Sequence, residues 1–506
     1  MIKTLFCTLG TSLLFAATPA FSAEERPVNI VAPFEITGLD PAKTGDLFQR
    51  MRIGETLVGT DATGKPVPTL ATGWTTSADG KVWTFTLRQN VRFHDGSVMT
   101  AEAVAASLNI ARAKPGTLGK APVEAIAADG TDTLRITLSR PFAPLVAFLA
   151  DARSQVLAPA SYEGTEVKTL IGTGPFRLTK IEVPQSLSVE QFADYWGTKP
   201  QMQAARYLAV GRAETRALMA ESGDGDYVYN LDPASRTRLA KSDKVKLEAV
   251  SIRRSVLIKV NAGHPLLKDV KLREALSLAI DREGLAKAVL RYPAAATQLF
   301  PPTLGIWNDP SLAPLAYDPE KAESLLTGLG WKKGADGVMQ KDGQRLVFTL
   351  TTYPDRPELP LLATVLQEQW KQIGVDVQIS LMSSSEIPAR HNNGTLELGL
   401  MARNFAEVPD PIGTMLQDYG PKGGDWGAMN WTNPEFQQAL ETLVNTTDPT
   451  QAEALRHKLV SVIQSDLPVI PVAWYQQSVA ISPKLENAGI DPFERSFGLD
   501  TMRWAK

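Results

Sequence analysis

Residues 54–108, GETLVGTDATGKPVPTLATGWTTSADGKVWTFTLRQNVRFHDGSVMTAEAVAASL, decide the fold more than any other stretch of the chain. The run around Trp74 and the run Val82–Leu87 predict two strands, and the Asp-Gly pair between them supplies a hairpin turn. A second Asp-Gly pair precedes a predicted helix that the hydroxyl of Thr100 can cap. The residue pattern alone therefore predicts an α+β surface module.

Length and composition set the class of protein. With 506 residues, the chain exceeds the size that one hydrophobic core usually supports, so two or more lobes are expected. A hydrophobic content of 43% with 21% charged residues is typical of a soluble globular protein. The net charge of −3, without a basic run, indicates that nucleic acid is not a partner.

Residues 1–22 are predicted to be a signal peptide. Lys3 supplies the positive charge, residues 5–17 supply the apolar core, and small residues end the segment at Ser22. The apolar core is too short to span a bilayer comfortably, so we expect the mature chain in the periplasm. Cys7, the single cysteine, lies inside this segment without a lipoprotein-type motif at the cleavage site, so we expect neither a lipid anchor nor a disulfide.

Strand-like and helix-like runs alternate along the rest of the chain, which predicts a mixed α/β fold. The clearest helix is 269–281, with Asp269 as its cap. The segments 251–261 and 468–482 are interpreted as crossings between two lobes. Two crossings make the first lobe discontinuous and allow a hinge, with the ligand held in the cleft between the lobes.

Motifs for catalysis are missing. The sequence contains no H-E-x-x-H, no G-x-S-x-G and no phosphate-binding G-x-x-x-x-G-K-[ST]. The run Gly172-Thr173-Gly174 is typical of a tight turn, because it lacks the lysine and the third glycine of a phosphate cradle. The four histidines are scattered and predict no metal site. We therefore expect a protein that is not an enzyme and carries no cofactor.

Ordered blocks of sequence carry a family resemblance. The pattern P-x-L-A-x-x-W-x-x-S-x-D-G-K-x-W-T-F-x-L-R-x-x-V-x-F-x-D-G, over residues 68–96, resembles the signature of extracytoplasmic solute-binding proteins of the peptide/nickel class, which deliver ligands to ABC importers. Further matching blocks follow in order at 172–176, 195–200, 270–282 and 468–474.

This resemblance implies an α/β, two-lobed periplasmic binding protein of class II with an accessory subdomain on lobe one. The implied boundaries are 1–22 for the signal peptide, 23–250 for lobe one with its subdomain at about 56–160, 251–470 for lobe two, and 471–506 for the return to lobe one. The implied partners are a small-molecule or peptide ligand and an inner-membrane ABC permease, and we expect a monomer.

The resemblance also implies ligand-binding residues. Arg153 lies where nickel-type members carry an arginine that contacts the carboxylates of a metal chelator, a task suited to a planar guanidinium. Arg403 is expected to supply a second cation from the opposite lobe. Glu407 lies near the position of an aspartate with which peptide-binding members hold the ligand's ammonium. Phe405 and Asp410, on the same loop, complete the predicted set.

Charge separates the possible ligands. Arg153 and Arg403, if both face the cleft, favour nickel or a related metal bound as an anionic chelate or metallophore complex, with no metal bound directly by protein side chains. A short peptide is the alternative, because Glu407 could hold its ammonium group. A haem carrier and a periplasmic hydrolase are more remote alternatives. Structural roles also stay open, with Arg153 paired to Asp151 and Arg403 solvated on its loop.

Overall fold

The computed structural model describes residues 26–505, apart from 62–63 and 447. The predicted signal peptide, 1–22, and Cys7 lie outside the described residues. Within the described part of the chain, no helix combines the length and the apolar character that crossing a membrane requires.

Among the described residues, ten strands form one large mixed sheet. Val28–Ala32 pairs in parallel with strands on both of its sides, and Val347–Thr352 likewise has a parallel neighbour on each side. Parallel pairs require crossover connections, which in this chain contain helices. In spatial order the strands are Phe176–Glu182, Ser186–Gln191, Ala204–Ala209, Val28–Ala32, Tyr227–Tyr229, Val469–Ile481, Lys246–Val260, Leu398–Asn404, Val347–Thr352 and Asp376–Leu381.

Two long strands join the halves of this sheet. Lys246–Val260 pairs antiparallel with Val469–Ile481, and the ladder is irregular between Ser251 and Ser255. We call the side that contains Val28–Ala32 lobe one and the opposite side lobe two. The two segments interpreted as crossings coincide with these strands. The predicted boundaries at 250 and 470 fall at or inside the strands and remain predictions.

Helices connect the strands and pack on the sheet. The predicted helix at 269–281 is confirmed as Val270–Leu278, and the carboxylate of Asp269 accepts a hydrogen bond from the backbone N–H of Lys271. The helices have the bounds Pro41–Arg50, Ala101–Arg112, Leu145–Phe148, Ala213–Ser222, Pro233–Leu239, Val270–Leu278, Arg282–Leu285, Pro319–Gly328, Glu358–Gln372, Glu386–Asn392, Ile412–Asp418, Pro434–Asn445 and Pro449–Asp466.

The stretch 54–108 folds largely as its pattern predicts. Ala71–Thr76 and Val82–Leu87 pair antiparallel, and the hydroxyl of Thr100 accepts a hydrogen bond from the backbone of Ala103 to cap the following helix. The strands Val123–Ala128 and Thr133–Leu138 extend this pair into a separate sheet. Its buried face packs on the helix, and the apolar side chains of this accessory module belong to the same buried cluster as those of lobe two.

The segment 172–174 forms a tight turn against His94. Nδ1 of His94 accepts a hydrogen bond from the backbone N–H of Gly172 (3.3 Å), and Nε2 lies 2.9 Å from the carbonyl oxygen of Gly174. A Cβ at either glycine would collide with the backbone of residues 52–53, so the turn requires glycine for close packing. Burial lowers the pKa of His94 to about 4, because desolvation penalises the imidazolium form.

Acid should destabilise the fold through His94. The folded ring stays neutral down to about pH 4, whereas the unfolded ring is protonated below its ordinary pKa of 6.5. The unfolded state therefore binds more protons between these values, and about 3 kcal/mol of stability present above pH 6.5 is lost as the pH falls to 4. Urea unfolding of wild type and His94→Gln at pH 7 and pH 4 measures this loss. An equal pH dependence of the two proteins would contradict it.

Candidate functional site

A cavity of about 1090 Å³ lies between the two lobes. Lobe one lines it mainly with residues from 33–50, and lobe two mainly with residues from 353–360 and 402–407. Arg254 joins the lining from the crossing strand Lys246–Val260. The volume suits an organic ligand and is far larger than a bare ion needs.

The cavity-lining segments stand at the ends of strands in the large sheet. Val28–Ala32 leads into 33–50, and Val347–Thr352 leads into 353–360. Each of these strands has parallel neighbours, and the carboxyl ends of parallel strands share one edge of a sheet. Leu398–Asn404 reaches the same region and ends at the cavity. The topology therefore brings distant parts of the chain to one cleft.

The helix Pro41–Arg50 presents a charged face to the cavity. Asp40 caps the helix through its side chain. Lys43, Asp46 and Arg50 recur at spacings of three and four residues, which places them on one face, and all three line the cavity. The side chain of Asp46 makes no hydrogen bond or ion pair within the described residues, although both of these helical neighbours are cations. Burial between the lobes raises the pKa of this carboxyl group.

Glu407 connects the two lobes through arginines. Its Oε1 accepts a hydrogen bond from Nη1 of Arg403 (2.6 Å), and its Oε2 accepts one from Nη2 of Arg153 (3.1 Å). Nε of Arg403 also donates to Oδ2 of Asp418 (2.5 Å), and Nε of Arg153 lies 3.5 Å from Oδ1 of Asp151. The side chains of Arg153 and Glu407 are 22% and 19% exposed, so water still reaches this pair.

Mutual attraction keeps this network ionised. Burial alone would raise the pKa of Glu407, but Arg403 and Arg153 outweigh burial and lower the pKa to about 2. Nearby carboxylates in turn raise the pKa of both arginines against the effect of burial. Burial raises the pKa of Asp418, against the attraction of Arg403. Glu407 and both guanidinium groups are therefore charged at neutral pH.

This geometry changes the charge argument drawn from the sequence. Arg153 and Arg403 are not two open cations, because Glu407 neutralises them jointly. Glu407 is not an open anchor for an ammonium group, because both of its oxygens already accept hydrogen bonds from guanidinium groups. Arg403 and Glu407 line the cavity, whereas Arg153 lies behind Glu407 and next to Asp151, as the structural alternative for it expects.

Phe405 and Asp410 lie outside the cavity lining. Phe405 is fully buried, and its ring packs against that of Phe300 with centroids 4.8 Å apart, because a large apolar ring is more stable in the core than in a wet cleft. Asp410 accepts a hydrogen bond from Nε1 of Trp307 (2.9 Å). Both residues anchor the loop that carries Glu407 and so position it.

Four arginines that the sequence analysis does not single out line the cavity, and three of them, Arg50, Arg254 and Arg356, are considered together. Nη2 of Arg254 lies 2.6 Å from Oε2 of Glu494, and Nη2 of Arg50 lies 3.9 Å from Oε1 of the same carboxylate. Nη1 of Arg356 donates to the hydroxyl of Tyr475 (3.2 Å). No carboxylate of the described residues pairs with Arg356. We call these three side chains the arginine cluster.

The arginine cluster brings three positive charges to one wall of the cavity. Its guanidinium groups lower the pKa of Glu494 to about 2, against the effect of burial. The second carboxylate nearby is Glu358, whose pKa burial raises despite the attraction of Arg356. Asp46, which attracts Arg50, is a third carboxylate, and burial raises its pKa as well. The three guanidinium groups therefore exceed the carboxylates in charge wherever Asp46 or Glu358 is protonated.

Part of this cluster has a signal in the sequence. Arg50 and Arg356 lie in segments that follow the parallel strands Val28–Ala32 and Val347–Thr352, where ligand contacts concentrate in α/β sheets. Arg254 and Glu494 are 240 positions apart in the sequence, so no local residue spacing predicts their ion pair. Arg50 and Arg356 could therefore be predicted from the positions of the strand ends. The pairing of Arg254 with Glu494 could be found only from the three-dimensional structure.

In the part of the chain that the structure describes, no three histidine, cysteine, aspartate or glutamate side chains lie close enough together to hold a metal ion. The guanidinium groups of the arginine cluster also repel a bare divalent cation. The cavity suits a ligand that brings negative charge of its own.

Sequence comparisons place the chain among binding proteins. The profile of bacterial extracellular solute-binding proteins, family 5 Middle, matches residues 65–426. The chain is 27% identical to the nickel-binding periplasmic protein of Escherichia coli over 526 aligned positions that cover 100% of both proteins. It is also 27% identical to the glutathione-binding protein GsiB of Salmonella typhimurium, covering 97% of each.

Solved structures share the fold. NikA from Brucella suis in complex with Fe(III)-EDTA has a TM-score of 0.86 at 23% identity, covering 95% of this chain and 100% of that one. The oligopeptide-binding protein AppA from Bacillus subtilis, in complex with a nonapeptide, has a TM-score of 0.83 at 20% identity, covering 96% and 99%. The predicted two-lobed α/β fold is confirmed. With the family profile running through most of its length, the chain belongs to the bacterial extracellular solute-binding proteins, family 5.

Proposed function

We propose that this protein is the periplasmic substrate-binding component of an ABC importer, and that its inter-lobe cavity captures a small carboxylate-bearing solute for delivery to the membrane permease. Nickel or a related metal, bound as an anionic chelate or metallophore complex, is the first candidate. Arg356 carries the proposal. It is a buried guanidinium at the cavity wall, with one hydrogen bond to a hydroxyl and no carboxylate partner in the described residues. Glu494 and Glu358 attract this guanidinium from beyond ion-pair distance, and a ligand carboxylate would give it the direct charged hydrogen bond that it lacks.

The ligands named for similar proteins share this chemistry. These proteins are described as binding nickel, glutathione, Fe(III)-EDTA or a nonapeptide. EDTA, glutathione and peptides all carry carboxylates, which arginine can bind in a bidentate manner. We favour a metal chelate because the arginine cluster suits a ligand of net negative charge, and because the nickel-binding relative matches over the full length of the chain.

A short peptide is the second candidate, and Asp46 favours it. Asp46 offers the cavity a carboxylate without a protein partner among the described residues, so it is available to an ammonium group. A zwitterionic peptide would then place its ammonium at Asp46 and its carboxylate at Arg356. In this alternative Asp46, and not Glu407, holds the ammonium group of the peptide. Both candidates describe a monomeric carrier without catalysis or a resident cofactor.

Replacing Arg356 should remove most of the affinity for a carboxylate ligand. Calorimetry with Ni(II)–EDTA and with glutathione identifies which probe binds the wild-type protein. Arg356→Gln should weaken that binding by about 2–4 kcal/mol, or about 30- to 1,000-fold, because one partner of a desolvated charge pair is lost. Arg345→Gln, which removes an exposed arginine paired with Asp336, is the matched control and should bind like wild type. Equal affinities of Arg356→Gln and wild type would contradict the assignment.

The substitution Asp46→Asn should separate the two candidate ligands. An anionic chelate should bind the variant as tightly as wild type or more tightly, because a like charge has been removed from the cavity. A peptide should bind at least about tenfold more weakly, because its ammonium loses a charged hydrogen-bond partner. The same calorimetry measures both. If Ni(II)–EDTA gives no heat and glutathione binds in a manner that depends on Asp46, the chelate proposal is wrong.

A further inference from the structure

Trp426 brings a large flat side chain to the lobe-two wall of the cavity. It lies on the loop 419–428, which follows the helix Ile412–Asp418. The ring is half-buried, lines the cavity and meets the ring of Tyr353 at 85°, with centroids 6.3 Å apart. The part of the indole that the protein leaves uncovered is therefore available to a solute.

The indole N–H of Trp426 has no acceptor among the described residues. Other tryptophans of lobe two differ, because Nε1 of Trp307, Trp431 and Trp474 each donates to a protein oxygen at 2.9–3.1 Å. A tryptophan that is largely buried usually finds such a partner for its N–H. Trp426 thus offers the cavity an apolar face and an unused hydrogen-bond donor.

A buried lysine fixes the backbone next to Trp426. Lys259 belongs to the crossing strand Lys246–Val260, and its Nζ donates to the carbonyl oxygens of Gly424 (2.5 Å) and Asp425 (3.1 Å). The lysine is fully buried, and desolvation lowers its pKa to about 7. A buried ammonium group is costly, and these two hydrogen bonds offset part of that cost. They tie the loop to the central sheet.

Glycines hold the same loop against the preceding helix. A Cβ at Gly424 would lie 2.4 Å from the carbonyl oxygen of Gln417, and a Cβ at Gly427 would lie 2.2 Å from Cβ of Asp418. Such close contact of backbones requires glycine at both positions. The backbone is therefore fixed on both sides of Trp426. A side chain positioned in advance loses little conformational freedom when a ligand binds.

The indole and the arginine cluster share one cavity. Tyr353 packs on Trp426 and lies within electrostatic range of Arg356, three residues further along the same segment. Lobe one repeats the combination, because the guanidinium carbon of Arg50 lies 5.0 Å from the ring centroid of Phe34, and both residues line the cavity. A volume of about 1090 Å³ leaves room for an organic group beside a bound carboxylate.

We propose that Trp426 is a solute-binding residue that determines specificity, with its indole face against an apolar, carbon-rich part of the solute whose carboxylate lies at the arginine cluster. The inference rests on the proposed function and deepens it, because it names the solute class as a carboxylate that also carries an apolar ring or chain. Contact with such a group removes apolar surface of both partners from water, which favours binding.

Two nickel chelates of equal charge and equal donor atoms test this assignment. Ni(II)–EDTA and the Ni(II) complex of trans-cyclohexanediaminetetraacetate (CDTA) differ by a cyclohexane ring in place of the ethylene link. Calorimetry should show that wild type binds the CDTA complex at least about fivefold more tightly, because the ring adds apolar surface to the contact. Trp426→Ala should bind the two chelates equally. Trp504→Ala, which removes a half-buried indole outside the cavity lining, is the matched control and should keep the preference.

If wild type binds glutathione and not Ni(II)–EDTA, glutathione and S-benzylglutathione form the corresponding pair. Circular dichroism establishes that each variant is folded, and Trp426→Gln replaces Trp426→Ala if the alanine variant does not fold. Trp426→Phe keeps a ring and should retain most of the preference.

The ratio of the two affinities separates this inference from the proposed function. Arg356→Gln should weaken both members of a pair by the same factor, so absolute affinity tests the carboxylate site and the ratio tests Trp426. Equal affinities of wild type for both members, or a preference that survives in Trp426→Ala, overturns the inference. A wild-type protein that binds neither Ni(II)–EDTA nor glutathione overturns the proposed function, and this inference falls with it.

Discussion

The pairing of Lys246–Val260 with Val469–Ile481 is the constraint on which the cleft depends. The register runs from Lys246 opposite Ile481 to Lys259 opposite Val469, so each strand belongs to both lobes. Two continuous strands therefore tie the lobes together at one side of the cleft. The ladder is irregular between Ser251 and Ser255, where bending costs few hydrogen bonds. A cleft of fixed position and variable width follows from this pairing.

Charge within the cleft then decides what it can hold. Lobe one brings Asp46 and Arg50, lobe two brings Arg356, and the crossing strand brings Arg254. In a partly desolvated space, each cation without a carboxylate partner favours an anionic ligand more strongly than it would in water. Glu407 forms ion pairs with Arg153 and Arg403, the two arginines that the family resemblance implicates. The guanidinium group without a carboxylate ion pair in the cavity lining is instead that of Arg356, in the arginine cluster.

Local patterns in the sequence predicted much of the fold. The Asp-Gly hairpin before Val82–Leu87, the cap at Thr100 and the helix after Asp269 all follow from short-range rules that the structure confirms. The crossing strands were readable as Pro-bounded or apolar runs, although their pairing with each other was not. The family resemblance implied four residues of the loop at 403–410, of which Arg403 and Glu407 line the cavity and Phe405 and Asp410 do not.

The ion pairing within the site could not be predicted from the sequence, for a physical reason. A spacing of four residues between Arg403 and Glu407 does not show that Arg153, some 250 positions away, completes the same carboxylate clamp. The sequence also does not show which way the side chain of Phe405 points, and in the structure its ring is buried in the core. Long-range pairing among buried charges depends on three-dimensional packing, and no periodicity records it.

The most direct test of the central claim is native mass spectrometry of the protein purified from its native host, followed by denaturation and identification of the released molecule. We expect one small molecule per chain, chemically intact, bearing at least one carboxylate, with or without a bound metal. The same molecule should be absent from Arg356→Gln purified in the same way. A neutral ligand, a bare metal ion or a cleaved reaction product would contradict the account.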